Sequence, residues 1–336
     1  MRGAATEQAN APAEHSRSGP VLALCGGVGG AKLALGLYRV LPPGGLTVLV
    51  NTGDDFEHLG LHIAPDLDTV MYTLAGVANA EKGWGRANET WTFMAALEAF
   101  GGETWFRLGD GDLATHVERT RRLQEGEALS AVTADLADRL GVQALLLPMS
   151  DAPVRTFVRT DAGELPFQTY FVRLGCAPRV IGVAYHGAEH AAPPRAFHAA
   201  VRDPDLQAAV ICPSNPYLSI GPILAVAGVR EALRACRAPV VAVSPIVAGQ
   251  AIKGPTAKIM EELGVGATPA AVAEFYGDVL DVFVIDEEDA GLAGHLPVPT
   301  VAARTVMHSL RDREQLARAV LAAAREHTQQ SSIERR

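Results

Sequence analysis

Six short, almost wholly apolar runs recur along the chain, at residues 21–25 (VLALC), 46–50 (LTVLV), 144–147 (ALLL), 208–212 (AAVIC), 239–243 (PVVAV) and 282–286 (VFVID). Each has the length of a strand and no polar face to turn to water, so each must be covered on both sides. Between most of them the apolar residues take helical spacing, at 31–41, 69–78, 88–100, 115–124, 130–140, 222–235, 255–263, 269–277 and 312–325. Strands that alternate with helices predict an α/β fold built on a doubly wound, mostly parallel sheet. Ligands of such a sheet bind beyond the carboxyl ends of its strands, which makes the residues just after each run the candidates for chemistry.

The stretch 151–205 breaks this rhythm. "RTFVRTDAGELPFQTYFVRLG" reads as a hairpin around Asp161-Ala162-Gly163 followed by another short strand, a small β-rich insertion. The catalytic core is therefore expected over 20–150 and 206–326. Residues 1–19 have no apolar centre of the kind a secretory signal needs and read as a disordered tail, and 327–336 as a polar tail. No apolar run approaches the ~20 residues that would span a bilayer. Four scattered cysteines, Cys25, Cys176, Cys212 and Cys236, form no C-x-x-C pair and are expected to be reduced, which points to the cytoplasm. A formal net charge of −9 leaves no basic field for nucleic acid or an anionic membrane. Any phosphate must be held locally.

The first run leads into "GGVGGAK", where Gly27, Gly29 and Gly30 let backbone amides approach a ligand at the start of a helix, a natural seat for an anion. Neither common fingerprint fits. A dinucleotide motif would want glycine where Lys32 stands, and a P-loop would want Ser or Thr at Leu33, so a nicotinamide-dependent oxidoreductase is the weaker alternative. After the second run, "NTGDDFEHLGLHIAPDLDTVMYTLAG" carries Asp54, Asp55, Asp66 and Asp68 within fifteen residues. That density suits a hard divalent cation, although Asp68 also stands where a helix cap would. "LGDGDLATHVERTRRL" adds Asp110, Asp112 and His116, with Asp112 to Thr115 at capping distance. "CPSNPYLSIGPIL" brings Ser214, Asn215 and Ser219 ahead of a helix, and "VSPIVAGQAIKGPTAKIM" brings Lys253 and Lys258, groups suited to a diphosphate.

These segments, with "PDLDTVMYTLAG", "GWGRANETW", "LPMSD" and "FQTYFV", closely resemble in order the 2-phospho-L-lactate transferase (CofD) family of deazaflavin coenzyme F-420 biosynthesis, from about residue 20 to about 325. The resemblance implies a Rossmann-like core, a Mg²⁺ requirement and a homodimer. It implies transfer of a phospholactyl or phosphoenolpyruvyl unit from a GDP-linked donor to the ribityl 5′-hydroxyl of the deazaflavin Fo, with release of GMP. By likeness to the family's acidic motifs, Asp54 and Asp68 would hold Mg²⁺, supported by Asp55 and Asp66, and one of these would draw the hydroxyl proton. Gly27, Gly29 and Gly30 would lie against the donor diphosphate or the ribityl chain. Ser214, Asn215 and Ser219 would hold phosphate or guanosine, with Asp110 and Asp112 beside the ligands and Lys253 countering charge. Trp84, Asn88 and Trp91 would border the deazaflavin ring.

Overall fold

The computed structural model describes residues 19–252 and 254–334, so Lys253 and residues 1–18 of the expected N-terminal tail lie outside the described residues. Seven strands make the main sheet: β1 (Val21–Cys25), β2 (Leu46–Val50), β3 (Leu145–Pro148), β4 (Ala208–Ile211), β5 (Val240–Val243), β6 (Val282–Asp286) and β7 (Thr300–Ala303). Their order is β7-β6-β5-β4-β1-β2-β3, and every neighbouring pair is parallel. This is the Rossmann-like α/β architecture. β7 was not foreseen, because "TVAA" is a partly exposed edge strand without a buried apolar run.

The order reverses between β1 and β4, the point at which sheets of this class leave a crevice beyond their strand ends. Two apolar layers cover the sheet. One face packs under α1 (Gly27–Val40), α2 (Pro65–Ala75), the helix Leu129–Arg139 and α4 (Leu310–Glu334), with Leu33, Leu37, Val70, Met71 and Val320 buried there. The other packs under the helices Arg195–Val201, Gly221–Ala225, Val229–Arg234, Thr256–Glu262 and Pro269–Tyr276. Burying each such Leu or Val contributes roughly 1.5–3 kcal/mol, so the stacked layers hold the strand ends in fixed relation. Among the described residues no helix is long and apolar enough to cross a membrane.

Helix starts differ most from expectation. α1 begins inside the glycine turn at Gly27 rather than at 31, α2 at Pro65 rather than 69, and α3 (Asp110–Gln124) five residues before 115. Apolar spacing registers only the buried stripe of a helix, and these first turns are built of glycine, proline and aspartate. The expected helix 88–100 is confined to Thr92–Ala99. The expected helix 222–235 is broken into two short helices, Gly221–Ala225 and Val229–Arg234, with Gly228 between them in the left-handed region at φ 84, and a π-type turn (Pro216–Ile220) precedes them.

The segment 151–205 forms a three-stranded antiparallel sheet of Gly163–Pro166, Arg155–Thr160 and Val180–His186, with the hairpin closing at Thr160 and Gly163. Its last part departs from the insertion. In the helix Arg195–Val201, Phe197 and Val201 pack with Leu22 and Leu24 of β1, so 195–205 joins the main core. The residues read as a polar C-terminal tail continue α4 as far as Glu334.

α1 and α4 pack closely through Gly36, where a Cβ would overlap the Arg313 carbonyl and press on Ala317 Cβ. Alanine in place of a mid-helix glycine ordinarily stabilises by about 1 kcal/mol. Here the sign should reverse. Gly36→Ala is expected to lower Tm by several degrees, an overpacking cost of about 1–3 kcal/mol, and a raised Tm would show that the two helices part freely.

Candidate active site

The crevice between β1, β2 and β4 is organised by Asn51, the first residue after β2. Its Nδ2 donates to Asp66 Oδ2 (2.9 Å) and to the Leu218 carbonyl (3.3 Å), while its Oδ1 accepts from the Gly53 N–H (2.8 Å). One amide thus joins the loop after β2, the start of α2 and the turn after β4. The glycine turn meets the same point. The Gly27 N–H donates to Asp66, and a Cβ on Gly26 would strike the Asp66 carboxylate, Ser219 Cβ and Asn51 Cβ. Gly27 itself sits at φ 62, a region that side chains resist. The turn is glycine because a carboxylate, a serine and an asparagine press against it.

Asp54, Asp55 and Asp66 are all buried here. Burial pushes the Asp66 carboxyl up to about 6, against the hydrogen bonds from Asn51 and Gly27, and the Asp55 charge adds to the rise. Asp54 is raised well above the usual carboxylate range by burial and by the charges of Asp66 and Asp55, with Asn51 pulling the other way. Asp55 is raised by burial although His62 Nε2 lies 3.0 Å from its Oδ2 and Arg155 and Arg119 are near. Asp54 Oδ1 and Asp55 Oδ1 are buried with no hydrogen-bond partner. Acceptor oxygens left bare in a low-dielectric site favour a cation, and hard oxygen donors suit Mg²⁺, which takes one or two protein carboxylates and completes its shell with water and phosphate. The residues fit that ion.

Asp68 belongs to a different network. Both of its oxygens are taken by the guanidinium of Arg119, Oδ2 at 3.0 Å from Nη1 and Oδ1 closer still to Nη2. His116 stands between Asp68 (3.6 Å) and Asp112 (3.4 Å), and Asp112 Oδ1 also accepts from Tyr72 Oη at 2.8 Å. Burial alone would raise Asp112, yet His116, Tyr72 and Arg119 together hold it below the usual range. Asp68, Asp112 and His116 do bring ligand atoms within 4.8 Å of one another. The guanidinium already in their midst supplies the positive charge, and a dication there would be repelled by it.

The remaining residues expected at the site divide cleanly. Ser219 is buried and faces the glycine turn. Ser214 is engaged in tying that turn to the loop after β4, since its hydroxyl donates to the Gly26 carbonyl (2.8 Å) and accepts from the Gly26 N–H (3.2 Å). Gly29 and Gly30 permit this approach: a Cβ on Gly29 would meet the Pro213 carbonyl, and one on Gly30 would meet Ser214 Oγ and Cys25 Cβ. Asn215 caps the turn Pro216–Ile220 by accepting from Tyr217 and Leu218. Asp110 caps the helix Thr92–Ala99, accepting from Thr90 Oγ1 (2.5 Å) and the Thr92 and Phe93 N–H groups, and these bonds hold its carboxyl below the usual range. Lys258 bonds Glu262, the Pro178 carbonyl and Tyr170, which fastens the insertion rather than facing the crevice. Lys32, where the dinucleotide fingerprint would have glycine, donates to the Met307 carbonyl (2.8 Å).

Sequence reading missed Asn51, His62, Arg119, Tyr72 and Gln168, whose Nε2 donates to the Asp54 carbonyl at 3.3 Å. Asn51 carried a signal, being the first polar residue after a buried strand beside the switch point. Arg119 carried none, because arginine on a charged helix reads as solvated until its burial is known.

Arg119 is 1% exposed. Arg119→Met should therefore destabilise by about 3–5 kcal/mol by stranding a buried carboxylate. Asp68→Leu with Arg119→Met should regain much of that loss in urea denaturation, and strict additivity of the two would show that the pair does not interact.

A family model described as 2-phospho-L-lactate transferase CofD matches residues 21–324. The chain is 42% identical over 315 residues to a phosphoenolpyruvate transferase of Streptomyces coelicolor, covering 91% of this chain and 98% of that protein. It is 40% identical over 270 residues to a 2-phospho-L-lactate transferase of Methanosarcina acetivorans, covering 80% and 86%. In fold it is similar to a crystal structure of a upf0052 family member from Bacillus halodurans, with a TM-score of 0.60 at 16% identity over 90% of this chain and 99% of that one.

Proposed function

Because the chain belongs to the 2-phospho-L-lactate transferase CofD family, we propose that it moves a phospho-acyl unit from a GDP-linked donor to the ribityl 5′-hydroxyl of the deazaflavin Fo. GMP is released, and the step belongs to coenzyme F-420 biosynthesis. The observation that carries this reading is the buried cluster of Asp54, Asp55 and Asp66 against the glycine turn, with two carboxylate oxygens bare. Phosphoenolpyruvyl is the unit favoured, since relatives named phosphoenolpyruvate transferase match 91% of this chain at 42–43% identity. The oxidoreductase alternative has no support in the family match.

In this reaction the Fo hydroxyl oxygen attacks the phosphorus that carries the enolpyruvyl group, and the bond from that phosphorus to the oxygen of GMP breaks. Such a transfer depends on alignment and charge compensation rather than on a covalent protein intermediate. Asp54 and Asp66 would hold Mg²⁺, with Asp55 beside them, and the ion would neutralise charge on the transferred phosphate. Asp54, with a carboxylate oxygen free of hydrogen bonds, would accept the hydroxyl proton. His62 keeps Asp55 oriented at 3.0 Å. The Gly26–Gly27 turn and Ser219 form the wall on which the diphosphate lies, and Gln168 closes the insertion over the Asp54 loop.

Incubation with Fo, Mg²⁺ and each GDP-linked donor separately, followed by mass spectrometry, should show the enolpyruvyl-phospho-Fo product and GMP. Unchanged Fo with every donor would end the proposal. Asp54→Asn and Asp66→Asn should each slow transfer by on the order of 10²–10⁴-fold.

A second measurement needs no turnover. Asp66 must lose its proton to bind a cation, so the rise in Tm caused by Mg²⁺ should be small at pH 5 and grow as pH passes about 6. Without Mg²⁺ the sign is opposite. A carboxyl held above its unfolded value binds protons more tightly when folded, so its contribution falls as pH rises from about 4 to about 6. A Mg²⁺ shift equal at pH 5 and 7.5 would remove Asp66 from the ion's shell.

A further inference from the structure

We propose that Gln168 is a positioning residue of the site: by holding the Asp54 carbonyl it sets the aim of the Asp54 carboxylate, and through it the antiparallel insertion becomes part of the machinery. The role given to Asp54 rests on the transferase reading above. The hold on its loop stands on independent geometry. Asp54 Oδ1 is buried with no hydrogen-bond partner, so nothing at that oxygen fixes the carboxylate, and its direction follows the backbone of the turn 52–55. Within the turn the Asp55 N–H donates to the Thr52 carbonyl (3.2 Å) and the Gly53 N–H to Asn51 Oδ1 (2.8 Å). The next two carbonyls are held from the insertion. That of Gly53 accepts from the Thr156 N–H (2.7 Å), and that of Asp54 from Gln168 Nε2 (3.3 Å). Such an approach requires glycine at 53, where a Cβ would strike Thr156 Oγ1 and crowd Asn51 Oδ1 and Pro222 Cβ.

The donor is itself rigidly held. Gln168 is 6% exposed and stands at the entry to a π-type turn, Thr169–Arg173, a rare helical form that recurs at functional sites. Around it Phe167 and Tyr170 are buried in an apolar cluster with Val158, Val180, Leu218 and Ile259, and Phe167 stacks on Phe171 with ring centres 5.3 Å apart. Leu218 carries the connection to the crevice, since its side chain lies in that cluster while its carbonyl accepts from Asn51. The far side of the insertion is bolted to the helix Thr256–Glu262. There Lys258 Nζ bonds Glu262 (2.8 Å) and the Pro178 carbonyl (3.2 Å), and Glu262 accepts from the Val180 N–H (2.8 Å). Tyr185 adds another tie, donating to the Tyr217 carbonyl at 2.6 Å.

A buried carbonyl needs a donor wherever it lies, and that need alone would account for a glutamine. What distinguishes Gln168 is the peptide it holds. The Asp54 carbonyl belongs to the link between Asp54 and Asp55, so one hydrogen bond orients the backbone that carries both acids. A turn free to rotate there would swing these carboxylates relative to Asp66, which Asn51 and the Gly27 N–H fix independently. Misplacement of reacting groups by about an ångström can cost on the order of 10²-fold in rate.

Gln168→Met keeps the length and packing of the side chain and removes the donor. The kcat for transfer should fall about 10–100-fold, while KM for the GDP-linked donor and GDP affinity by calorimetry stay within about twofold. The Mg²⁺ concentration that gives half the maximal rise in Tm should increase about tenfold or more, a readout that needs no turnover. Gln168→Asn leaves an amide in the same slot but draws it back by one methylene; it should move these quantities in the same direction, and it serves where the Met variant does not fold. A lowered Tm with kcat and the Mg²⁺ response unchanged would reduce Gln168 to a structural hydrogen bond and overturn the inference. Loss of GDP affinity with an unchanged Mg²⁺ response would overturn it also, by placing Gln168 on the donor. A wild-type protein that transfers nothing, beside a Gln168→Met variant that still loses its Mg²⁺ response, would sink the transferase reading and leave the hold on Asp54 standing.

Discussion

Three carboxylates confined together away from water set the terms for the rest of the site. A buried carboxylate must find hydrogen bonds, a counter-charge or a proton. Asp66 finds the Asn51 amide and the Gly27 N–H, and Asp55 finds His62, while Asp54 keeps one oxygen bare. The compensation is incomplete: it leaves the proton affinity of all three raised and two carboxylate oxygens buried without a hydrogen-bond partner, the mark of a functional-site candidate.

Keeping such a cluster intact requires a rigid frame, and part of that frame is made of side chains that sequence reading assigned to ligands. Ser214 ties the glycine turn to the loop after β4, and Asn215 caps the π-type turn beside it. Glu89 caps α3 while Asp110, the first residue of α3, caps the helix Thr92–Ala99. That exchange interlocks the "NET" and "GDGD" segments by two opposed caps. Arg119 compensates Asp68 and, through His116, is linked to Asp112 and Tyr72. The charge in this second network closes on itself, which separates it from the crevice in chemical character although Asp66 and Asp68 are two residues apart.

Legibility varied with how local the cause was. The other six strands are almost wholly apolar, and burial leaves little else such runs can be, so they were plain from sequence to within a residue or two. β7 was not, since "TVAA" is short, small-residued and only partly buried and has no such mark. The hairpin after Thr160 was plain because Asp161-Ala162-Gly163 is turn chemistry written in adjacent residues. The start of α3 was misplaced because its cap, Glu89, comes from another part of the chain, twenty-two residues from Gly111.

At the level of the site, the order of the motifs determined the family, the α/β class and the neighbourhood of the chemistry, because each motif stands at a strand end and a parallel sheet brings strand ends together. What it could not decide was the partner of each carboxylate. Asp54, Asp55, Asp66 and Asp68 look alike in a linear chain. Only folding places Asp66 against Asn51 and the glycine turn and Asp68 against Arg119 from a helix fifty-one residues away. The free energy of a buried charge depends on what lies within a few ångströms of it, and that distance belongs to the tertiary structure.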